Sequence, residues 1–283
     1  APTTEIINKT CEERGLLHAK KTYEEVNVCI PVFPGTNCEY DSKRAFEKAG
    51  AKVELVVIRN KTEQDIKSSI SDLVAAIKKA QIMMLPGGFS AGDEPEGSGK
   101  FIATFLRNEE IKEAITDLLE NRDGLMIGIC NGFQALIKLG LLPYGKISNM
   151  TKDDATLTFN TIGRHVSQMV NTKVASVKSP WLTGVNVGDI HTIPVSHGEG
   201  RFVAPIEVLE ELFKNGQVFT QYVDDNNNPT RESPYNPNGS MMAIEGIISL
   251  DGRVIGKMGH SERQGDNRFI NIYGEMDQKL FES

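Results

Sequence analysis

Cys130 stands in Gly128-Ile129-Cys130-Asn131-Gly132, between the apolar run LMIGI and a helical pattern, QALIKLG. A strand that turns sharply into a helix lifts the residue at the turn above the sheet. Flanking glycines permit the close backbone approach that such a turn needs. A thiol there sits at a helix N-terminus, whose positive end favours thiolate. The N–H of Asn131 follows where an oxyanion would form. The same pattern suits a small buried hydrophobe, because free cysteines often fill cores. The spacing therefore leaves nucleophile and core residue both open.

Two other segments carry chemistry beside it. In LPGGFSAGD, Gly87 and Gly88 follow an apolar run, so a turn there would expose backbone N–H groups that, with Asn131, can form an oxyanion hole. An ordinary strand–helix turn would look the same. In VIGKMGHSERQGD, His260 ends an apolar run and Glu262 lies two residues on. If 254–260 is a strand, residues two apart share a side, and the carboxylate can orient the imidazole as the acid of a triad does. His–Glu neighbours are nonetheless common on inert surfaces. His197, in PVSHGEGRF, competes as a base or as part of a pocket wall. His165 and His191 fall in candidate strands and read as structural, and His18 falls in the N-terminal tail. Arg201 and Arg263 could meet an anionic group. Asp93, Glu94 and Glu96 read as a solvated acidic loop, and GSGK lacks the spacing of a phosphate-binding lysine loop.

These residues need a scaffold that brings distant segments together, and the hydrophobic pattern supplies one. VNVCIPVF, KVELVVIRN, QIMMLPGG and GLMIGIC read as strands. CEYDSKRAFEKAG, with Gly50 as its stop, residues 64–80 and residues 99–121 read as helices between them. Ile66, Ile70, Leu73, Val74 and Ile77 give the second helix its apolar face. Strands alternating with helices, and runs apolar throughout, predict a doubly wound, mostly parallel α/β sheet with ligands beyond its carboxyl ends. The second half adds candidate strands at LTFN, HVSQMV, TIPVSH, QVFTQYV, MMAIEGIISL and VIGKMGH, a helix at IEVLEELFKNG, and a polar surface loop at DDNNNPTRESPYNPNGS.

The 283 residues carry 31 Lys and Arg against 38 Asp and Glu, a net charge of −7. That balance disfavours a nucleic-acid or anionic-membrane binder. The most apolar stretch, around residues 123–145, is interrupted by Asn131, Gln134 and Lys138, which argues against a membrane helix. Four cysteines (Cys11, Cys29, Cys38 and Cys130) without a signal pattern or a zinc-ligand spacing predict reduced thiols, no metal and a cytoplasmic protein.

GICNGFQ, LPGGFSAGD, PVSHGEGRF, NPNGS and GHSER, in this order, resemble the glutaminase domains of phosphoribosylformylglycinamidine synthases, which are class I glutamine amidotransferases of purine biosynthesis. The resemblance runs from about Val26 to the C-terminus. It implies a flavodoxin-like fold that hydrolyses glutamine through a cysteine thioester and supplies ammonia for the ATP-dependent conversion of formylglycinamide ribonucleotide to formylglycinamidine ribonucleotide. It implies Cys130 as nucleophile, His260 as general base and acid, and Glu262 as the group that orients His260. Gly87 or Gly88 and Asn131 match the oxyanion positions. Gln134 matches a side chain that helps hold glutamine, and His197, Gly198 and Glu199 match the wall at its amino-acid end. The implied partners are glutamine and a synthase domain or subunit, with no nucleic acid and no membrane. No cofactor is expected here, and ATP and Mg are expected only in the synthase portion. Residues 1–25 read as a lead-in tail, the end of a preceding synthase region, with the glutaminase domain at 26–283. Two departures stand out: Ser261 occupies the place of a proline common between the catalytic His and Glu, and SAGDEPEGSGKF differs from the usual S-Y-G-D form. A cysteine hydrolase of the same fold, a peptidase or γ-glutamyl hydrolase, would share the elbow but need no synthase. A non-catalytic docking domain would be expected to lack a triad member, and none is missing.

Overall fold

A computed structural model describes residues 5–15, 23–93, 97–263, 274 and 279–282. His18, Glu94 and Glu96 lie outside the described residues. The first half alternates as the pattern predicts: β1 (Asn27–Val32), α1 (Glu39–Lys48), β2 (Lys52–Val57), α2 (Glu63–Lys79), β3 (Ile82–Leu85), α3 (Lys100–Leu106), α4 (Glu109–Thr116), β4 (Leu125–Ile129) and α5 (Asn131–Leu139). There follow α6 (Leu141–Tyr144), β5 (Thr156–Thr158), β6 (Val166–Val174), β7 (Ile190–His197), β8 (Arg201–Val203), α7 (Ile206–Lys214), β9 (Val218–Tyr222), β10 (Ile244–Ile248) and β11 (Val254–Lys257).

Among the described residues, one sheet runs β2-β1-β3-β4-β11-β10-β9-β6-β7, and β5 pairs with β8 apart from it. From β2 to β11 every pair is parallel; from β11 to β7 every pair is antiparallel. Strands β1, β3 and β4 of the parallel half are buried on both faces, whereas β2 is a half-exposed edge. Val28, Cys29 and Ile30 of β1, Met83 to Leu85 of β3, and Met126, Ile127 and Ile129 of β4 are all inaccessible or nearly so. Each large aliphatic among them contributes roughly 1.5–3 kcal/mol of transfer free energy. Burial of the Cys29 thiol also pushes its pKa far up, so this cysteine is core.

The chain leaves β1 for β2 on one side and later returns to β3 on the other. A sheet that reverses in this way opens a crevice at the carboxyl ends of β1 and β3. The turns after β1 and β3 meet there: the N–H groups of Asn37 and Cys38 donate to the Gly87 carbonyl at 3.3 and 3.2 Å. The elbow after β4 lies against the same place. Gly132 is required at its position, because an added Cβ would stand 1.9 Å from the Leu85 carbonyl oxygen.

Several details depart from the sequence reading. The helix expected over 99–121 is divided, because the Asn108 side chain accepts from the N–H groups of Glu110 and Ile111 and starts α4 afresh. The MMA of MMAIEGIISL is a short 3-10 turn, and β8 carried no strand signal of its own. The polar 224–240 loop is exposed over 225–228 and 231–234, but Asn236, Asn238 and Ser240 are buried. β11 stops at Lys257, so His260 and Glu262 share a turn rather than alternate positions of a strand. Turn hydrogen bonds run from Ser261 N–H to Gly259 O and from Arg263 N–H to His260 O. Residues of the 5–15 segment pair onto the antiparallel half. Cys11 N–H donates to Ala175 O at 2.8 Å, and Gln221 Nε2 donates to Ile7 O at 2.9 Å.

Candidate active site

Cys130 is the residue before α5, with φ +52° and ψ −106°. A non-glycine side chain rarely adopts this backbone, and such strain persists only where the surroundings hold it. Here its own N–H donates to Lys257 O at 2.8 Å, and its carbonyl accepts from Gln134 N–H at 3.0 Å. The sulfur is buried, 3.6 Å from the Ser196 carbonyl.

His260 is fixed from its backbone outward. Its N–H donates to Pro194 O at 2.8 Å, and Nδ1 lies 2.7 Å from Glu262 Oε1. That contact places a proton on Nδ1, and Nε2 is buried without a protein hydrogen-bond partner. Burial alone would lower the imidazole pKa. The opposing charges of the Glu262 carboxylate and the Cys130 sulfur outweigh it and raise the pKa well above the usual value. Gly87 lies between the groups: a Cβ built on it would stand 2.8 Å from His260 Cε1, 3.1 Å from Cys38 Sγ and 3.5 Å from Cys130 Cβ. The structure thus brings Cys130, His260, Glu262 and Gly87 together from three loops.

The Gly87 carbonyl is tied to the start of α1, so across a trans peptide the Gly88 N–H points away from α1. Gly88 itself, with φ +148°, is packed against Gly35 O and Thr36. Asn131 opens α5, where first-turn N–H groups lack intrahelical acceptors. Its side chain starts a relay. Ser90 N–H donates to Asn131 Oδ1 at 3.2 Å, Asn131 Nδ2 donates to Gln134 Oε1 at 3.0 Å, and Gln134 Nε2 donates to the Glu199 carbonyl. Gln134 therefore spends its amide on holding the 197–200 wall. Glu199 in turn accepts at Oε2 from Ser98 N–H, 3.1 Å away.

His197 is buried, with Nε2 accepting from Asn238 Nδ2 at 3.0 Å. Asn238 also donates to the Tyr222 hydroxyl at 3.1 Å, and its Oδ1 accepts from Ser240, which fixes the amide's orientation. The Nδ1–H of His197 is left without a protein partner. Burial first, then the nearby His260 and His165, drives the His197 pKa down to about 3, so the ring is neutral. Gly198 has open space where a Cβ would go. His165, outside the strands, meets Ser196 Oγ at 3.0 Å.

Sequence reasoning missed Cys38 and Asn238 as neighbours of the site. Asn238 was visible within NPNGS, but nothing in the sequence linked Cys38 to His260. Cys38 Sγ lies 3.9 Å from His260 Nδ1 and donates to Asn37 Oδ1 at 3.1 Å. Among the described residues, Cys38, His260 and Glu262 have donor atoms within 4.8 Å of one another, near enough to share a metal ion. The Arg263 guanidinium, however, approaches Cys38 Sγ to 3.3 Å. A fixed positive charge on that sulfur opposes a second cation, and the cluster suits a hydrogen-bonded thiol better than a metal ligand set.

A cysteine at a strand–helix elbow, a carboxylate-held histidine and adjacent backbone donors define the class of cysteine-dependent acyl-transfer enzymes built on a doubly wound sheet. Residues 25–283 match the CobB/CobQ-like glutamine amidotransferase domain, and the chain belongs to that family. It is similar to the phosphoribosylformylglycinamidine synthase subunit PurQ of Methanococcus maripaludis, 36% identical over 233 residues (81% of this chain and 79% of that one). The subunit of the same name from Chlorobaculum tepidum is 34% identical over 260 residues, covering 92% and 96% of the two chains. Among solved structures, a chain of PurLQS from Thermotoga maritima superposes with a TM-score of 0.65 at 29% identity, covering 91% of this chain and 96% of that one. No helix among the described residues is long and apolar enough to cross a membrane.

Proposed function

We propose that this chain is the glutaminase of a phosphoribosylformylglycinamidine synthase: it hydrolyses glutamine to glutamate and ammonia, and the ammonia serves the amidine-forming step of purine biosynthesis. Family membership and the PurQ relatives support the substrate and the pathway. The observation that carries the chemistry is the strained Cys130 beside His260, with Glu262 2.7 Å behind the ring.

Nε2 of His260 takes the thiol proton or, as its raised pKa favours, already holds it beside the thiolate, and Cys130 Sγ attacks the side-chain amide carbon of glutamine. The N–H groups of Gly88 and Asn131 receive the oxyanion; removing one such donor typically costs about 10²–10³ in turnover. The imidazolium, stabilised by Glu262, returns its proton to the departing ammonia. Water activated by the same nitrogen then hydrolyses the γ-glutamyl thioester. His197, Gly198 and Glu199, braced by Gln134 and Asn238, form the wall for the amino-acid end, where the unpartnered His197 Nδ1–H is a donor in reserve. The synthase partner holds ATP and Mg and consumes the ammonia; this chain's steps use neither.

Cys130→Ala tests the assignment. In the assembled synthase it abolishes glutamine-dependent turnover, leaves ammonia-dependent turnover intact and keeps the melting temperature. Retention of glutamine-dependent turnover would remove Cys130 from the mechanism.

A further inference from the structure

The residues on either side of His260 are held by two buried charged side chains. Lys257, the last residue of β11, is fully inaccessible; its Nζ donates to Ser261 Oγ at 2.7 Å and lies 5.6 Å from the Phe219 ring centroid. Ser261 is itself inaccessible and stands between His260 and Glu262. On the other side, Glu245 of β10 is 1% exposed. Its Oε1 accepts from Gly259 N–H at 2.7 Å, and its Oε2 accepts from the Thr220 hydroxyl. With the His260 N–H on Pro194 O, three successive residues of the turn are anchored.

We propose that Lys257, acting through Ser261, is a positioning residue that sets the His260–Glu262 pair. A buried ammonium is costly unless its partners are well placed. An unbranched apolar side chain would fill the same volume without that cost, and what it could not supply is a directional, charge-assisted hydrogen bond to the turn. The turn requires one. Serine at 261 has no ring to fix its φ and so lends the turn no stiffness of its own. Its hydroxyl gains it from Lys257.

This inference rests on His260 as the general base. The test is a double-mutant cycle in the assembled synthase, with glutaminase kcat, KM and Tm measured for Lys257→Met, Ser261→Ala and the double variant. Each single substitution lowers kcat by about tenfold or more through a displaced base, with KM held within about twofold because the glutamine wall is untouched. The double variant loses no more than the weaker single variant, because the lysine acts through the serine and the same hydrogen bond cannot be lost twice. Wild-type kcat in both single variants overturns the proposal, as do losses that multiply in the double variant. Should Lys257→Met not fold, the comparison of Ser261→Ala with the double variant decides. A double variant equal to Ser261→Ala supports coupling, and a clearly weaker one refutes it. Cys130→Ala, run alongside, separates the two levels: its loss of glutaminase turnover is required by the general-base reading whatever the lysine does.

Discussion

Gly87→Ala places a methyl group at the centre of the site. The new Cβ would stand 2.8 Å from His260 Cε1, whereas ordinary contact begins at 3.4 Å, so the ring or the 87–88 turn must move by about 0.6 Å. Cys38 Sγ, at 3.1 Å, blocks retreat on its side, and the Gly87 carbonyl is pinned by Asn37 and Cys38 N–H groups. The displacement therefore falls on the His260–Cys130 geometry. Misplacement of a reacting group on this scale costs about 10²-fold in kcat. The assay is ammonia release from glutamine by the assembled enzyme, with Tm to show that the fold persists. Gly198→Ala is the matched control: its Cβ meets nothing within 4 Å. Stability and kcat stay at wild-type values, and any change falls on KM for glutamine. A Gly87→Ala enzyme with undiminished kcat would refute the placement of His260 beside this turn.

The remaining expectations concern charge. His197 is neutral in the fold, with a pKa near 3 against an ordinary 6.5. Below pH 6.5 the unfolded chain therefore binds a proton that the folded one refuses, and this residue's contribution to stability falls with pH by at most about 1.4 kcal/mol per unit. His260 has the opposite sign: its raised pKa contributes stability below 6.5 that is lost as pH rises through the folded value. Urea melts between pH 5 and 7 should show a shallower acid decline for His197→Leu than for the parent, and equal slopes would contradict a neutral buried ring. Glu262→Gln removes the carboxylate behind Nδ1. It lowers the His260 pKa and reduces kcat by about 10²–10⁴ with KM little changed. A pH–rate profile identical to the parent's would show that Glu262 does not act on His260.

Much of this architecture is legible in the residues because the relevant physics is local. Unbroken apolar runs such as Met83 to Leu85 and Met126 to Ile129 announce strands covered on both faces. The glycines around Cys130 announce an elbow, because no other residue lets β4, α5 and β3 approach so closely. Illegible features come from contacts across the sheet. Nothing near Asn108 says that its side chain will cap a new helix rather than ride an old one. The His–Glu spacing of two fits a strand and a turn equally, and β11 ends early at Lys257 through hydrogen bonds that no periodicity records. Cys38 lies 222 positions from His260 and reaches it only because the sheet order reverses at β1. Asn238 reads as part of a polar loop, yet it is buried, since His197 and Tyr222 satisfy its amide.

The central claim is that Cys130 is a nucleophile facing a pocket for glutamine. The assembled enzyme, exposed to the glutamine-like electrophile diazo-oxo-norleucine and digested for peptide mass mapping, tests it most directly. A single adduct on Cys130, prevented by free glutamine, is the predicted result. Labelling of Cys38 or another thiol with Cys130 unmodified, or labelling of Cys130 that glutamine does not prevent, would contradict it.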